Sequence, residues 1–243
     1  MRTATIVQAR MGSTRLPGKV MMDLGGATVL ARVVQRLRRA RLIGELIIAT
    51  TIDPADDAIV EECTALGVQF FRGEVKDVLD RYYRAALHFG AEVIVRITSD
   101  CPLIEPEVTD RVIDTFLEQR PDYASNAVQR TYPRGLDTEV FTFDALERTW
   151  QNAQRSYQRS HVTTYIYENP EQFKIVSVTG EADYSWQRWT VDTPDDLRFI
   201  REVYELMGND PGFYWRDVLS LLERRPELLE LNSHVMQKAL QEG

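Results

Sequence analysis

Strand-like and helix-like stretches alternate through the first half of this 243-residue chain, a rhythm that points to a mostly parallel sheet with helices on its faces. The strands are read at Ala4–Val7, Glu45–Thr50, Val68–Phe71 and Val93–Thr98, the second as buried on both faces. Between them, Leu30, Val33, Val34 and Leu37 recur at helical spacing, with Arg32, Arg36 and Arg39 on what is expected to be a solvated face. Asp53 and Pro54 read as N-cap and first-turn proline of a helix that Gly67 closes. In the next helix Val78, Leu79, Tyr82, Ala86 and Leu87 are expected to face the core.

The loop after the first strand, VQARMGSTRLPGK, holds Gly12, Ser13, Thr14 and Gly18 together with Arg10, Arg15 and Lys19. Backbone N–H groups, hydroxyls and cations at the end of a strand can wrap an oligophosphate. It is not a Walker A loop, because five residues separate Gly12 from Gly18 and Val20 follows Lys19. The dinucleotide fingerprint GxGxxG is absent from the turn too. The fourth strand runs directly into SDCPLIEP, so Asp100 falls at the same sheet edge as the loop, where ligands of open parallel sheets lie. A helix is expected to start near Pro106. Asp77, Asp80 and Arg81 read either as ordinary salt bridging on a helix surface or as the lining of a base pocket.

A net charge of −8 argues against partners that are long nucleic acids, whose binding rests on neutralising many phosphates. A small anion fits where cations cluster locally. Cys63 and Cys101 are too few for a disulfide framework and lack metal-ligand spacing. No run has the length of a membrane span, and Met1 to Gln8 lacks the features of a signal peptide, so a cytoplasmic protein that does not engage membranes is expected.

Beyond Pro121 the alternation stops. YASNAV, RTYPRGLDTEVFTF and FKIVSVTG read as strands around a helical stretch from Asp144 to Glu168, suggesting a smaller mixed α/β lobe that covers the site and contributes to a homodimer. Residues 1–121 are taken as the nucleotide-binding half, 122–185 as the acceptor and dimer lobe, 186–205 as a return strand with a metal motif, and 206–243 as a helical tail, all within one domain. Arg130, Arg134, Arg155 and Arg159 concentrate cations in the lobe, suited to an acidic second substrate. His161 is expected on one helix with Tyr165, either packed or touching substrate. In WQRWTVDTPDDL, strand alternation puts Arg188, Thr190 and Asp192 on one face and Gln187, Trp189 and Val191 on the other, followed by a helix start at Thr193, Pro194 and Asp196. Since Asp192 precedes the cap, the helix does not require it. The leucine-rich tail from Trp215 to Gly243, broken at Pro226 and Asn232, reads as packing or association surface.

The pieces QARMGSTRLPGKV, DVLDRYYRAA, VRITSDCPLIEP, YPRGLDTEVF, HVTTYIY and RWTVDTPDDL together resemble the bacterial sugar-acid cytidylyltransferases, whose relatives activate 3-deoxy-manno-octulosonate and sialic acids. The spore coat polysaccharide biosynthesis group is the most similar. The resemblance implies a Rossmann-like nucleotide-diphospho-sugar transferase fold. It also implies magnesium-dependent transfer of CMP from CTP to an acidic sugar-like acceptor with release of pyrophosphate, in cell-surface polysaccharide or glycoconjugate synthesis. Carried over by position, Arg10, Ser13, Thr14, Arg15 and Lys19 hold the triphosphate, and Asp100 and Asp192 hold magnesium. Asp77, Val78 and Arg81 surround the cytosine with Ala9 and Thr98, and Met11, Gly12 and Ser99 lie on the nucleotide side. Tyr132, Arg134, Asp137, Glu139, His161 and Arg188 face the acceptor. Ser99 departs from the pattern, standing where relatives usually have glycine.

The chemistry is consistent on its own terms. Attack on an α-phosphorus brings a nucleophile to an anion and loads charge onto the leaving pyrophosphate, so cations and a carboxylate-held magnesium ion lower the barrier. Two alternatives are a nucleotide-sugar-dependent glycosyltransferase, which usually carries a DxD motif where this chain has SDCP, and a catalytically weakened nucleotide-binding protein of the same fold.

Overall fold

The computed structural model describes residues 1–238. Within them one sheet contains β1 (Thr3–Gln8), β2 (Glu45–Thr51), β3 (Gln69–Gly73), β4 (Val93–Thr98), β5 (Tyr123–Ser125), β6 (Glu139–Thr142) and β7 (Ile175–Ser177). Their order is β3-β2-β1-β4-β6-β5-β7. The first four run parallel, β6 is antiparallel to both β4 and β5, and β7 is parallel to β5. The mixed part expected after Pro121 is thus built onto the edge of the same sheet.

The helices are α1 (Val29–Leu37), α2 (Asp57–Leu66), α3 (Val78–Phe89), α4 (Pro106–Gln119), α5 (Phe143–Asn152), α6 (Ser156–His161), α7 (Thr164–Glu168), α8 (Pro194–Leu206) and α9 (Trp215–Arg224). Period-two alternation divides the strand residues between two cores. Val7, Ile48 and Val95 pack with α1, α2 and α4, while Ile6, Ile47 and Ile94 pack with α3 and α5. Burial on both faces explains why β1, β2 and β4 read as continuous apolar runs. A third cluster gathers Leu24, Leu103, Trp189, Val191 and the apolar stripes of α8 and α9.

Several sequence expectations are corrected. Leu87 is 59% exposed, and Ala85 takes its place, because the buried stripe of α3 runs through 78, 79, 82, 85 and 86. The arginine face of α1 is not solvated. Arg36 is fully buried, donating to the carbonyls of Ile104, Pro211 and Phe213 and to Glu105, and Arg32 donates to the carbonyls of Leu24 and Gly25. Rings of Tyr204, Phe213 and Tyr214 lie against Arg32, Arg36 and Arg39, so the C-terminal third covers this helix face.

The helical stretch expected from Asp144 to Glu168 is divided at Ala153 and again at Val162, whose φ of 59° is left-handed, so His161 and Tyr165 occupy separate helices. Of RTYPRGLDTEVFTF, Glu139–Thr142 alone is strand. No return strand forms at 186–192: Arg134 and Arg188 make one isolated bridge, and the crossing is so close that a Cβ on Gly135 would stand 2.5 Å from the Trp189 carbonyl oxygen. The expected alternation survives without the strand, with Trp189 and Val191 fully buried.

Candidate active site

The loop at the carboxyl end of β1 is shaped by its own backbone and by one acid. The Met11 carbonyl accepts from the N–H groups of Ser13 (2.8 Å) and Gly18 (2.9 Å), and Gly18 turns the chain at φ 70°. The Met11 N–H donates to Asp56 Oδ1 at 2.7 Å. The other oxygen of Asp56 accepts from the Thr50 and Thr51 hydroxyls and the Thr51 N–H, so this 2%-exposed carboxylate ties the loop to the end of β2. Local sequence pattern marks the neighbouring cap, Asp53, whose Oδ1 accepts from the Ala55 N–H, but not Asp56, which has no local pattern of its own.

Past Gly18, a short 3₁₀ turn, Lys19–Met21, brings Lys19 into the centre of the site. Its Nζ donates to Asp100 Oδ2 at 2.7 Å, to Asp192 Oδ1 at 2.8 Å and to the Val191 carbonyl at 2.7 Å. The two carboxylates, remote in sequence, therefore converge on one ammonium. Asp100 comes from the end of β4, where its Oδ1 accepts from the Thr98 hydroxyl at 2.6 Å. Asp192 is delivered by the crossing segment, because the Val191 N–H and the Thr190 hydroxyl both donate to the Asp100 carbonyl. It is held from the far side by Arg15 (3.0 Å) and Arg188 (2.6 Å). Asp196, fully buried in the capping box of α8, accepts from Arg188 and from the N–H groups of Asp192 and Thr193.

Burial alone raises the Asp100 carboxyl, but the Lys19 ammonium and the Thr98 hydroxyl outweigh it and hold the pKa down at about 2. Burial likewise works against the Lys19 charge, and the two carboxylates reverse that effect, raising its pKa above the ordinary 10.5. Both groups are charged across the physiological range.

These residues wall a cavity of about 450 Å³. Eight Arg and Lys side chains line it, Arg10, Arg15, Lys19, Lys76, Arg81, Arg96, Arg134 and Lys238, against three carboxylates, Asp100, Asp137 and Asp192, among the described residues. The cavity is thus an electropositive pocket in an acidic protein. Arg81 is 1% exposed, and its Nε lacks a hydrogen-bond partner, as does the Nε of Arg96. Burial, with the neighbouring Arg10 cation, lowers the Arg81 pKa; burial and Arg130 do the same to Arg134. Cations crowded and buried in this way are suited to an anion.

The structure gathers most of the sequence-selected residues here and leaves others outside. Ala9, Arg10, Ser13, Thr14, Arg15, Lys19, Val78, Arg81, Thr98, Ser99, Asp100, Arg134, Asp137, His161 and Asp192 line the cavity. Ser99 is 5% exposed and its backbone is outside the left-handed region, so its Cβ introduces no backbone strain. Met11 and Gly12 do not line the cavity, and Met11 shapes the loop through its carbonyl and its N–H. Asp77 caps α3 through the Asp80 N–H and pairs with Arg159. Glu139 does not face the cavity: it is buried under the floor, accepting from Arg96, Tyr123 and Thr163. Tyr132 sits in the third core cluster against Trp215, with Arg111 on its hydroxyl. Arg188 reaches the site through Asp192. Lys76, Arg96, Gln237 and Lys238 line the cavity without having been singled out, since each stands in a segment whose local pattern is that of ordinary surface or strand.

No cluster of three or more His, Cys, Asp or Glu side chains capable of holding a metal occurs among the described residues. Asp100 and Asp192 instead offer two hard-oxygen groups around one point that a cation, the Lys19 ammonium, already occupies. That donor set fits a magnesium ion that keeps waters and shares its coordination with substrate phosphates.

A parallel sheet with an antiparallel insertion, and a phosphate-suited loop facing two carboxylates at its edge, define a nucleotidyltransferase of the Rossmann-like nucleotide-diphospho-sugar transferase fold. The cytidylyltransferase family model matches residues 4–218, and the chain belongs to that family. It is similar to an uncharacterized protein of Methanocaldococcus jannaschii, with 41% identity over 100% of this chain and 99% of the relative. It is also similar to the spore coat polysaccharide biosynthesis protein SpsF of Bacillus subtilis, with 32% identity over 91% of this chain and 94% of the relative. The solved structure of a cytidylyltransferase from Leptospira borgpetersenii serovar Hardjo-bovis superposes with a TM-score of 0.91 at 33% identity, covering 98% of this chain and all of that one.

Proposed function

We propose that the cavity binds CTP and transfers its CMP moiety to an acidic sugar-like acceptor, releasing pyrophosphate. The observation that carries this reading is the convergence of Asp100 and Asp192 on Lys19 at the end of the N-terminal loop. Arg10, Arg15 and Lys19, with the hydroxyls of Ser13 and Thr14, bind the triphosphate. Val78 and Arg81 sit beside the base, with Thr98 and the backbone at Ala9. Arg134, Asp137 and His161 receive the acceptor, and Arg134 supplies the cation that an acid group requires. Asp100 and Asp192 would hold magnesium, which neutralises phosphate charge when bound. Arg15 and Arg188 orient Asp192, and Thr98 orients Asp100. Catalysis in this arrangement is positioning and electrostatic stabilisation of the charge that develops on the leaving pyrophosphate.

The protein works as a homodimer in the cytoplasm, in a route to surface polysaccharides or glycoconjugates. The 65%-exposed Trp186 supports an association surface. No helix of the described residues is long and apolar enough to cross a membrane. The test is a pyrophosphate-release screen of the four nucleoside triphosphates with magnesium against sugar acids, sugar phosphates and phosphonates. Release with CTP and an acidic acceptor is expected. Turnover of a nucleotide-sugar to free nucleoside diphosphate would overturn the reading in favour of a glycosyltransferase, and CTP binding without turnover across the acceptors would leave a binding protein.

A further inference from the structure

The family match stops at residue 218, yet two residues of the tail beyond it, Gln237 and Lys238, form part of the cavity wall. The tail reaches the cavity by a defined route. After α9, the 3₁₀ helix Pro226–Leu231 buries Leu228 in the third core cluster. Asn232, 3% exposed, then donates its amide to the Arg188 carbonyl (2.9 Å) and to Asp196 Oδ1 (3.1 Å), and His234 lies 3.0 Å from Asp195. All three partners belong to the segment that carries Asp192, so the tail is docked beside that carboxylate. Gln237 Oε1 accepts from Arg188 Nη1 at 2.7 Å, and another nitrogen of the same guanidinium holds Asp192. One residue later, Lys238 Nζ stands 3.4 Å from the Thr14 hydroxyl of the N-terminal loop.

We infer that the segment from Pro226 to Lys238 is a strap across the phosphate site, with Lys238 as a further phosphate-binding residue and Gln237 as its anchor on Arg188. Lys238 makes no salt bridge among the described residues, and its partner there is a neutral hydroxyl at the long end of hydrogen bonding. An ammonium with three donors, on a cavity wall shared with Ser13, Thr14 and Arg15, is complemented by an anion. The inference rests on the cavity being a nucleotide site. An oligophosphate and the acid group of an acceptor share this chemistry; the contact with the N-terminal loop assigns Lys238 to the oligophosphate.

The experiment is calorimetric titration of the full chain with inorganic tripolyphosphate and with CTP, in magnesium, for wild type, Lys238→Ala, Lys238→Arg and Gln237→Ala. Lys238→Ala should weaken both ligands about tenfold, the scale of one charge-assisted hydrogen bond. Lys238→Arg should recover most of the loss, and Gln237→Ala should fall between. Unchanged affinities in Lys238→Ala overturn the inference, including the case in which the acceptor KM alone rises. A Lys238 effect on tripolyphosphate in a wild type that does not bind CTP keeps the strap and overturns the cytidylyl reading. Failure of the wild type to bind either ligand overturns both.

Discussion

At the scale of single residues, Lys19 and its two acids set the behaviour of the site. Each carboxylate is held on both oxygens, so losing one removes a fixed charge from the site proposed to hold the phosphates. Asp100→Ala and Asp192→Ala should each lower pyrophosphate release by about two to three orders of magnitude, the scale of losing a major electrostatic stabiliser, with an unchanged far-ultraviolet dichroism spectrum. The same cluster leaves a signature in stability. The folded pKa of Asp100, about 2, lies below its ordinary 3.8, so the ion pair contributes fully above the ordinary value and is lost as pH falls through the folded one. The contribution is of order 2 kcal/mol. Lys19, raised above 10.5, keeps its charge throughout that acid window and loses its contribution only at the alkaline end. Urea titrations should therefore show wild type losing stability between about pH 4 and pH 2, with Asp100→Asn giving a flatter acid limb. Asp100 stands out in the sequence because it falls at the strand edge that carries the N-terminal loop, and Asp192 because it precedes a helix cap that does not need it. Glu139 is a site candidate through the family resemblance alone, and its alternation phase on β6 turns it toward Arg96 and Tyr123.

At the scale of elements, the N-terminal loop keeps its shape because Asp56 fastens it to β2. Asp56→Ala leaves the Met11 and Thr51 N–H groups and two hydroxyls without their acceptor in a buried place. It should cost about 3 kcal/mol in chemical unfolding and raise the KM for CTP, because the loop that holds the cations loosens. The capping box of α8 was legible in advance, since Thr193, Pro194 and Asp196 form a local signal read within one turn. Its second role was not: Asp196 also holds Arg188, and through it Asp192. The junction between α6 and α7 was missed for a related reason. Helical spacing runs on through HVTTYIY, whereas the left-handed Val162 that divides it is imposed by burial of Val162 and by Thr163 reaching Glu139.

For the whole molecule, the C-terminal third organises the rest. Arg36, on α1, is fully buried and ties the carbonyls of Ile104, Pro211 and Phe213 to the equally buried Glu105, which also accepts from the Trp215 N–H. Burial lowers the Arg36 pKa and raises that of Glu105, both directions expected of charges withdrawn from water. Such a pair adds little net stability over an apolar substitute, but removing one partner strands the other. Glu105→Ala should cost about 3–5 kcal/mol in chemical unfolding, far beyond what an exposed pair such as Arg216 with Glu107 supplies.

The sequence by itself determined the alternating strands and helices of the first half, and with them the placing of the N-terminal loop and Asp100 at one sheet edge. That much follows because apolar period and turn chemistry are local, and parallel strands bring their carboxyl ends to the same side. Tertiary structure alone decided that the segment 187–192 crosses at Gly135 to lay Asp192 beside Asp100, that Arg36 is interior, that Tyr132 and Glu139 are packed away, and that Gln237 and Lys238 arrive at the cavity. Each of those outcomes depends on a donor and an acceptor far apart along the chain, and the local pattern around either residue carries no record of the other.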